Sequence, residues 1–240
     1  MYLSRLILDP IHRNARRDLA DCQELHRTVL AAFPQTSGDA PAREQFGVLH
    51  RIDELPRTGL LLLLVQSQVP PDWSTLPPGY LRRSAAEAEN PDCKDLRPLY
   101  DAIASGDQLR FRLRANATEK TGTSLKSERL AGDRRNGRRR GLHEEELLPW
   151  LARKAEAGGF RIIVVRGTDV PAAQAARPPQ TYGRRTDDHG ERKRRLTFAP
   201  ALFEGVLEVT DAACFRETLA HGIGPAKAYG FGLLSVARMP

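Results

Sequence analysis

The sequence predicts an α+β protein built from two tandem ferredoxin-like domains, each an RRM-like βαββαβ unit. Alternating or continuous apolar runs of strand length interleave with segments of helical period. In the first half their order is strand, helix, strand, strand, helix, strand, the βαββαβ signature. A second set of similar length follows a polar, basic interruption. With 240 residues, 40% of them apolar, the chain is long enough for two small domains, each with its own core.

Tyr2 to Asp9 alternates apolar and polar residues and stops at Pro10, which reads as a strand. "HRNARRDLAD" reads as a basic loop. Asp21 then serves as N-cap for a helix to about Phe33, with Leu25, Val29 and Ala32 on one face and Glu24 in the first turn. Gln45 to Asp53 and Gly59 to Ser67 read as two strands joined through Pro56 and Gly59. Pro70 to Gly79 is irregular and Pro-rich. A weak helix over Leu96 to Ala104 precedes "GDQLRFRLRANAT", whose clear alternation closes the first domain at 1–117.

From Glu119 to Arg140 the chain reads "EKTGTSLKSERLAGDRRNGRRR", basic, Gly-containing and without apolar period. It is expected to be a flexible basic linker spanning 118–141. The second domain, 142–240, opens on "HEEELLPWLARKAEAGG", a helix with acids at its start, Leu147, Leu151 and Ala155 inward, and Gly158 as its stop. "FRIIVVRG" is a buried strand. A hairpin turning near Asp188 to Gly190 leads into a long strand ending in "FEGVLEVTD". Asp211 starts a helix that Gly222 ends, and "FGLLSVA" is the last strand.

Composition narrows the function. Lys and Arg number 37 against 30 Asp and Glu, a formal charge of +7, which favours an anionic partner such as RNA or DNA. The 3 cysteines, Cys22, Cys93 and Cys214, are far apart and form no CxxC pair, which argues against a disulfide framework or a zinc module. The N-terminus lacks the apolar core of a signal peptide. The longest apolar run, Gly59 to Gln66, is too short to span a bilayer. A cytoplasmic protein with no membrane partner is expected.

Three features carry chemistry. The first is "HGIGPAKAYGFGLLSV", where Gly222, Gly224, Gly230 and Gly232 surround Lys227. Nucleotide phosphate loops lie between a strand and a following helix; here the order is helix, loop, strand, which removes that reading. What remains is either a structural turn or a loop whose backbone approaches a polynucleotide closely, with Lys227 for charge. The second feature is the hairpin, on which Arg184, Arg185, Arg192, Lys193, Arg194 and Arg195 concentrate charge. A two-stranded ribbon of this kind can contact phosphates and groove edges. The third is "DLADCQELHRTV". His26 sits one turn into its helix beside Arg27, where an imidazole near RNA phosphate could move a proton, although a surface histidine is more often inert. No His spacing, acidic cluster or GxSxG motif suggests a metal or a serine nucleophile.

"NARRDLADCQELHRTVLAAFP", "QVPPDWSTLPPGY", "GDQLRFRLRANATEK", "ALFEGVLEV" and "HGIGPAKAYGFGLLSV", in this order along the chain, resemble the CasE-type CRISPR repeat endoribonucleases. These are RAMP-superfamily subunits of the type I-E Cascade complex. The resemblance implies two ferredoxin-like domains and metal-independent cleavage of the precursor CRISPR RNA at the base of each repeat's stem-loop, with no cofactor. The ribose 2′-hydroxyl would attack the scissile phosphate, leaving a cyclic phosphate and a 5′-hydroxyl. The enzyme would keep the product and join the other Cascade subunits. His26 matches the family's catalytic histidine, and the hairpin around Arg184 and Arg185 matches the element that docks in the stem's major groove. Arg27 and Lys227 would stabilise phosphate charge, with Gly224 and Gly230 shaping the glycine-rich loop. One departure stands out: some members carry a catalytic tyrosine where this chain has Gln23, so either that role is dispensable, or another group such as Lys227 or Tyr229 helps, or turnover is slow. The alternative is a catalytically weak or inactive subunit that only retains the RNA's 3′ hairpin.

Overall fold

The computed structural model describes residues 1–35, 41–83, 89–120, 139–186 and 193–239. The first half runs β1 (Tyr2–Ile7), α1 (Arg13–Ala20), α2 (Cys22–Leu30), α3 (Ala42–Gln45), β2 (Leu49–Leu55), β3 (Leu60–Ser67) and β4 (Asp92–Asp95). These strands form an antiparallel sheet in the order β2-β3-β1-β4. Leu6, Leu8, Leu25, Val29, Leu63 and Val65 fill its core, with the helices on one face.

The second half adds α4 (Arg97–Asp101), β5 (Gln108–Ala115), β6 (Thr118–Lys120), β7 (Arg139–Gly141), α5 (Leu147–Glu156), β8 (Phe160–Ile162) and β9 (Ala173–Ala176). It continues with β10 (Thr181–Thr186), β11 (Lys193–Phe198), β12 (Ala201–Val209), α6 (Ala212–His221) and β13 (Leu234–Arg238). Its main sheet has the order β13-β5-β12-β8, and β9 also pairs with β12. Counted within each half, both sheets follow the order fourth, first, third, second strand, the ferredoxin-like arrangement expected.

The boundary drawn after residue 117 needs correction. Strand β5 does not close the first sheet; it pairs with β12 and β13 and is the first strand of the second. Leu109, Phe111, Leu113 and Ala115 supply its buried face, a pattern that fits either sheet equally. The first sheet's fourth strand is instead β4, "DCKD", short and polar, with no alternation to betray it. The linker boundaries change as well. Its ends, β6 and β7, pair with Thr118 opposite Gly141, so the insertion leaves the second unit through a short ladder. Residues 121–138 lie outside the described residues.

The "basic loop" after Pro10 is in fact α1. Its inward side carries Ala15, the half-buried Leu19 and a buried carboxylate, Asp18, an apolar stripe of only two residues among arginines. Asp18 accepts hydrogen bonds from the Tyr80 hydroxyl at 2.8 Å, the Thr28 hydroxyl at 2.6 Å and Arg17 Nε at 2.9 Å. A buried charge is tolerable only when so fully partnered, and it fastens α1 to α2.

Polar contacts lock the halves together. Arg51, 2% exposed, chelates Asp53 and donates to the carbonyls of Arg112 at 3.2 Å and Leu233 at 3.1 Å. Gln66 Nε2 donates to the Leu219 carbonyl at 2.7 Å and accepts from the Tyr100 hydroxyl at 2.8 Å. Losing either partner would leave a buried polar group unpaired, so the joint between the sheets is specific. No helix among the described residues is long and apolar enough to cross a membrane.

Candidate active site and nucleic-acid interface

The site lies where α2, the ribbon β10-β11 and the glycine-rich turn meet. The N-terminus of α2 is the anchor. Asp21 caps the helix by accepting from the Gln23 amide at 2.9 Å, and the same Oδ1 accepts from the Arg184 amide at 3.2 Å. One carboxylate thus caps the helix and docks the hairpin. Close approach is allowed because position 183 is glycine: a Cβ there would stand 2.7 Å from Cys22 Sγ. Burial, then Asp21, pushes the Cys22 thiol up to about 11, so it serves as packing rather than as a nucleophile.

The ribbon carries its charge in register. Arg184 is opposite Arg195, and Arg185 opposite Arg194. Arg184 and Arg195 line a groove of about 1000 Å³ with Arg17, Arg27 and Tyr182. The Arg195 guanidinium stacks 5.0 Å from the Tyr182 ring centroid, which holds it rigid without neutralising it. Arg185 and Arg194 occupy the other face of the pleat. Lys193 takes the last described rung, opposite Thr186. Arg192 and the expected turn at Asp188 to Gly190 lie outside the described residues.

The glycine-rich turn is held from both ends. Gly222 terminates α6 at φ 72°. The Ile223 amide donates to the Gly232 carbonyl at 2.9 Å, and the Gly232 amide to the Arg114 carbonyl at 2.8 Å. Between them Lys227–Tyr229 forms one 3-10 turn, flanked by left-handed Ala226 and Gly230. The two glycines singled out from the sequence separate here. A Cβ at Gly230 would stand 3.6 Å from the ring of His50, beside the site, whereas one at Gly224 would stand 3.4 Å from the core indole of Trp150. Gly224 therefore shapes the loop from the interior side.

His26 projects from α2 towards this turn, its ring edge-on to Tyr229 with centroids 6.2 Å apart. Tyr229 in turn stacks on Phe198 of β11 at 5.1 Å, so the ring beside His26 is braced by the hairpin. Burial, reinforced by the charges of Arg43 and Arg27, lowers the His26 imidazole to about 4. It is neutral at pH 7, able to accept a proton. Lys227 is also lowered from its ordinary value, chiefly by burial. Arg27, at the next position, pairs with Glu24, and Gln23 stands at the docked end of the helix. Among the described residues, no three His, Cys, Asp or Glu side chains converge as metal ligands would.

Sequence reasoning missed His50, fully buried behind Gly230, with Nε2 lacking a hydrogen-bond partner. It also missed Arg114, which lies 5.1 Å over the Phe231 ring and donates to Thr181 at 2.8 Å. Each is an isolated residue in an ordinary strand pattern, and only the return of the glycine-rich turn brings it to the site.

A family model described as "CRISPR associated protein" matches residues 1–238. The chain is 38% identical over 240 residues to a protein of Thermus thermophilus named CRISPR-associated endoribonuclease Cse3, covering 99% of this chain and 100% of that one. It is 28% identical over 237 residues to the CRISPR system Cascade subunit CasE of Escherichia coli, covering 99% of each. Its fold matches a structure of CRISPR endoribonuclease Cse3 bound to 19 nt RNA, with TM-score 0.74, 35% identity, and coverage of 99% of this chain and 100% of the other. By the extent of the family match and the depth of these similarities, the chain belongs to the CRISPR associated protein family, with Cse3 and CasE among its relatives.

Proposed function

We propose that this protein is a metal-independent endoribonuclease that cuts precursor CRISPR RNA at the base of the repeat stem-loop and then retains the product as a Cascade subunit in the cytoplasm. The observation that carries the reading is the junction at α2: a neutral, half-buried imidazole faces the glycine-rich turn, while the same helix docks an arginine ribbon. RNA lying in the Arg184–Arg195 groove would run past His26.

The chemistry follows from these positions. His26 Nδ1 or Nε2 takes the proton from the ribose 2′-hydroxyl as its oxygen attacks phosphorus. The O2′–P bond forms, the P–O5′ bond breaks, and a cyclic phosphate and a 5′-hydroxyl result. In-line attack places entering and leaving oxygens on opposite sides of phosphorus, so one imidazole cannot serve both. Lys227, made more acidic by burial, is suited to protonate the leaving 5′ oxygen and to offset charge on the phosphate. Tyr229 orients His26 through its ring edge. Gln23 can hydrogen-bond but not exchange a proton.

Incubating the protein with its host's repeat RNA in EDTA tests the reading. Site-specific cutting that leaves a 5′-hydroxyl is expected. Loss of cutting in EDTA would overturn metal independence. Gln23 favours one other reading, a binding subunit without turnover, and tight binding with no cut would select it.

The ribbon makes a second prediction. Charge reversal at Arg184 and Arg185 should weaken stem-loop binding and flatten its salt dependence. Each lost phosphate contact removes roughly 0.7–0.9 from the slope of log affinity against log salt. An unchanged affinity and slope in a filter-binding titration would remove the ribbon from the interface.

A further inference from the structure

Arg43 belongs to none of the sequence segments that resemble the endoribonucleases, yet the fold brings it to the site. It sits on α3, where its carbonyl accepts from the Val48 amide at 2.8 Å and fixes the turn into β2. Its side chain is 18% exposed, and its counter-charge is the neighbouring Glu44 carboxylate at 2.8 Å, itself 61% exposed. A solvated acid of that kind gives little compensation. Across from it, Lys227 of the glycine-rich turn lines the same small concavity, of about 220 Å³, which Leu49 and His221 complete.

Two cations therefore share a concavity whose lining holds one solvated acid, Glu44, and the cost is visible on their surroundings. After burial, the Arg43 charge is the first cause lowering both Lys227 and His26. An anion seated in the concavity would remove this repulsion and gain two charge-assisted contacts. We infer that Arg43, with Lys227, forms a binding site for one backbone phosphate of the RNA, immediately beside the bond that is cut. The inference rests on the endoribonuclease reading and adds to it a residue that sets where the chain enters the active centre. Arg43 is thus a phosphate-positioning residue, delivering the strand to His26.

The test uses full-length protein and repeat RNA carrying a 2′-deoxy nucleotide before the scissile bond, so that binding is measured without cutting. A second set of RNAs carries one uncharged methylphosphonate linkage at each position flanking that bond in turn. Arg43→Ala should weaken binding to the fully charged RNA about tenfold, with Arg43→Lys recovering part of the loss. One neutral linkage should weaken native binding similarly and leave Arg43→Ala no further effect. If Arg43→Ala binds every RNA as tightly as native protein, or weakens all of them equally whichever linkage is neutral, the assignment is wrong. Failure of the native protein to bind repeat RNA would instead overturn the endoribonuclease reading on which it rests. A thermal melt of Arg43→Lys that matches the native one keeps a folding defect from imitating the result.

Discussion

His26→Ala is expected to slow single-turnover cleavage by about 10²–10⁴-fold, the usual contribution of a positioned acid–base group, while RNA affinity stays within a few-fold of native. The separation follows from the charge state. An imidazole lowered to about 4 carries no charge at pH 7, so its removal takes no attraction from the phosphate. The arginines of the groove and Lys227 supply that attraction and remain in place. Acidification gives an independent check. As pH falls, His26 gains a proton and ceases to accept one, so the native rate must drop. Bound phosphate favours the imidazolium, which moves the midpoint in the complex above the value of the free protein. The residual rate of His26→Ala should lack this acid limb.

Folding stability carries the same sign. In the unfolded chain His26 protonates near its ordinary 6.5, whereas in the folded protein it resists until about 4. Between those values the unfolded state binds the extra proton, so acidification through this window erodes stability. His50, lowered to about 3 by burial first and His26 second, acts in the same direction. The melting temperature of His26→Ala should therefore fall less steeply than that of native protein from pH 7 to pH 5. Cleavage near the native rate by His26→Ala would show that another group takes the 2′-hydroxyl proton.

How much of this was legible in the sequence depended on whether the signal was local. Asp21 as N-cap, Leu25 and Val29 as the inward face, and Gly222 as the stop of a helix are each written within a turn or two of chain, and each stands as read. Strand β5 was legible as a strand but not as a member of the second sheet, because alternation says which face is buried and not which partner covers it. Helix α1 escaped because Asp18 does the inward work that a leucine usually does, through partners ten and 62 residues away. The site divides in the same way. His26, Lys227 and the arginine ribbon announced themselves by residue type and local company. Arg43 and His50 are single residues whose importance comes from the return of the glycine-rich turn against β2, a contact no local pattern encodes. Gly183 is the clearest case: a glycine inside a strand hints at close approach, but only the structure says that Cys22 and Asp21 are what it approaches.

Gly183→Leu should therefore cost RNA binding roughly ten- to a hundredfold while leaving both main sheets folded. The backbone at this position is ordinary strand, so the objection to a side chain is space. A Cβ would lie 2.7 Å from Cys22 Sγ, 3.1 Å from Asp21 Oδ1 and 3.4 Å from the Gln23 amide nitrogen. A branched side chain must push the ribbon off α2, breaking the Arg184–Asp21 contact of 3.2 Å and withdrawing Arg184 and Arg195 from the groove. Losing one charge-assisted phosphate contact, worth about 1.5–3 kcal/mol, gives an effect of that size. The ribbon is a two-stranded sheet of its own, outside the four-stranded and five-stranded sheets, so a melt should report little change even as binding fails. A smaller pair of changes locates the cause. Gly183→Ala alone should weaken binding, Cys22→Ala alone should be nearly neutral, and the two together should recover affinity, because removing Sγ makes room for the new methyl. Equal affinities for native protein and Gly183→Leu would mean that the ribbon grips RNA without its seat on α2. Failure of Cys22→Ala to rescue Gly183→Ala would shift the critical contact to Asp21, whose carboxylate would then be the part that cannot yield.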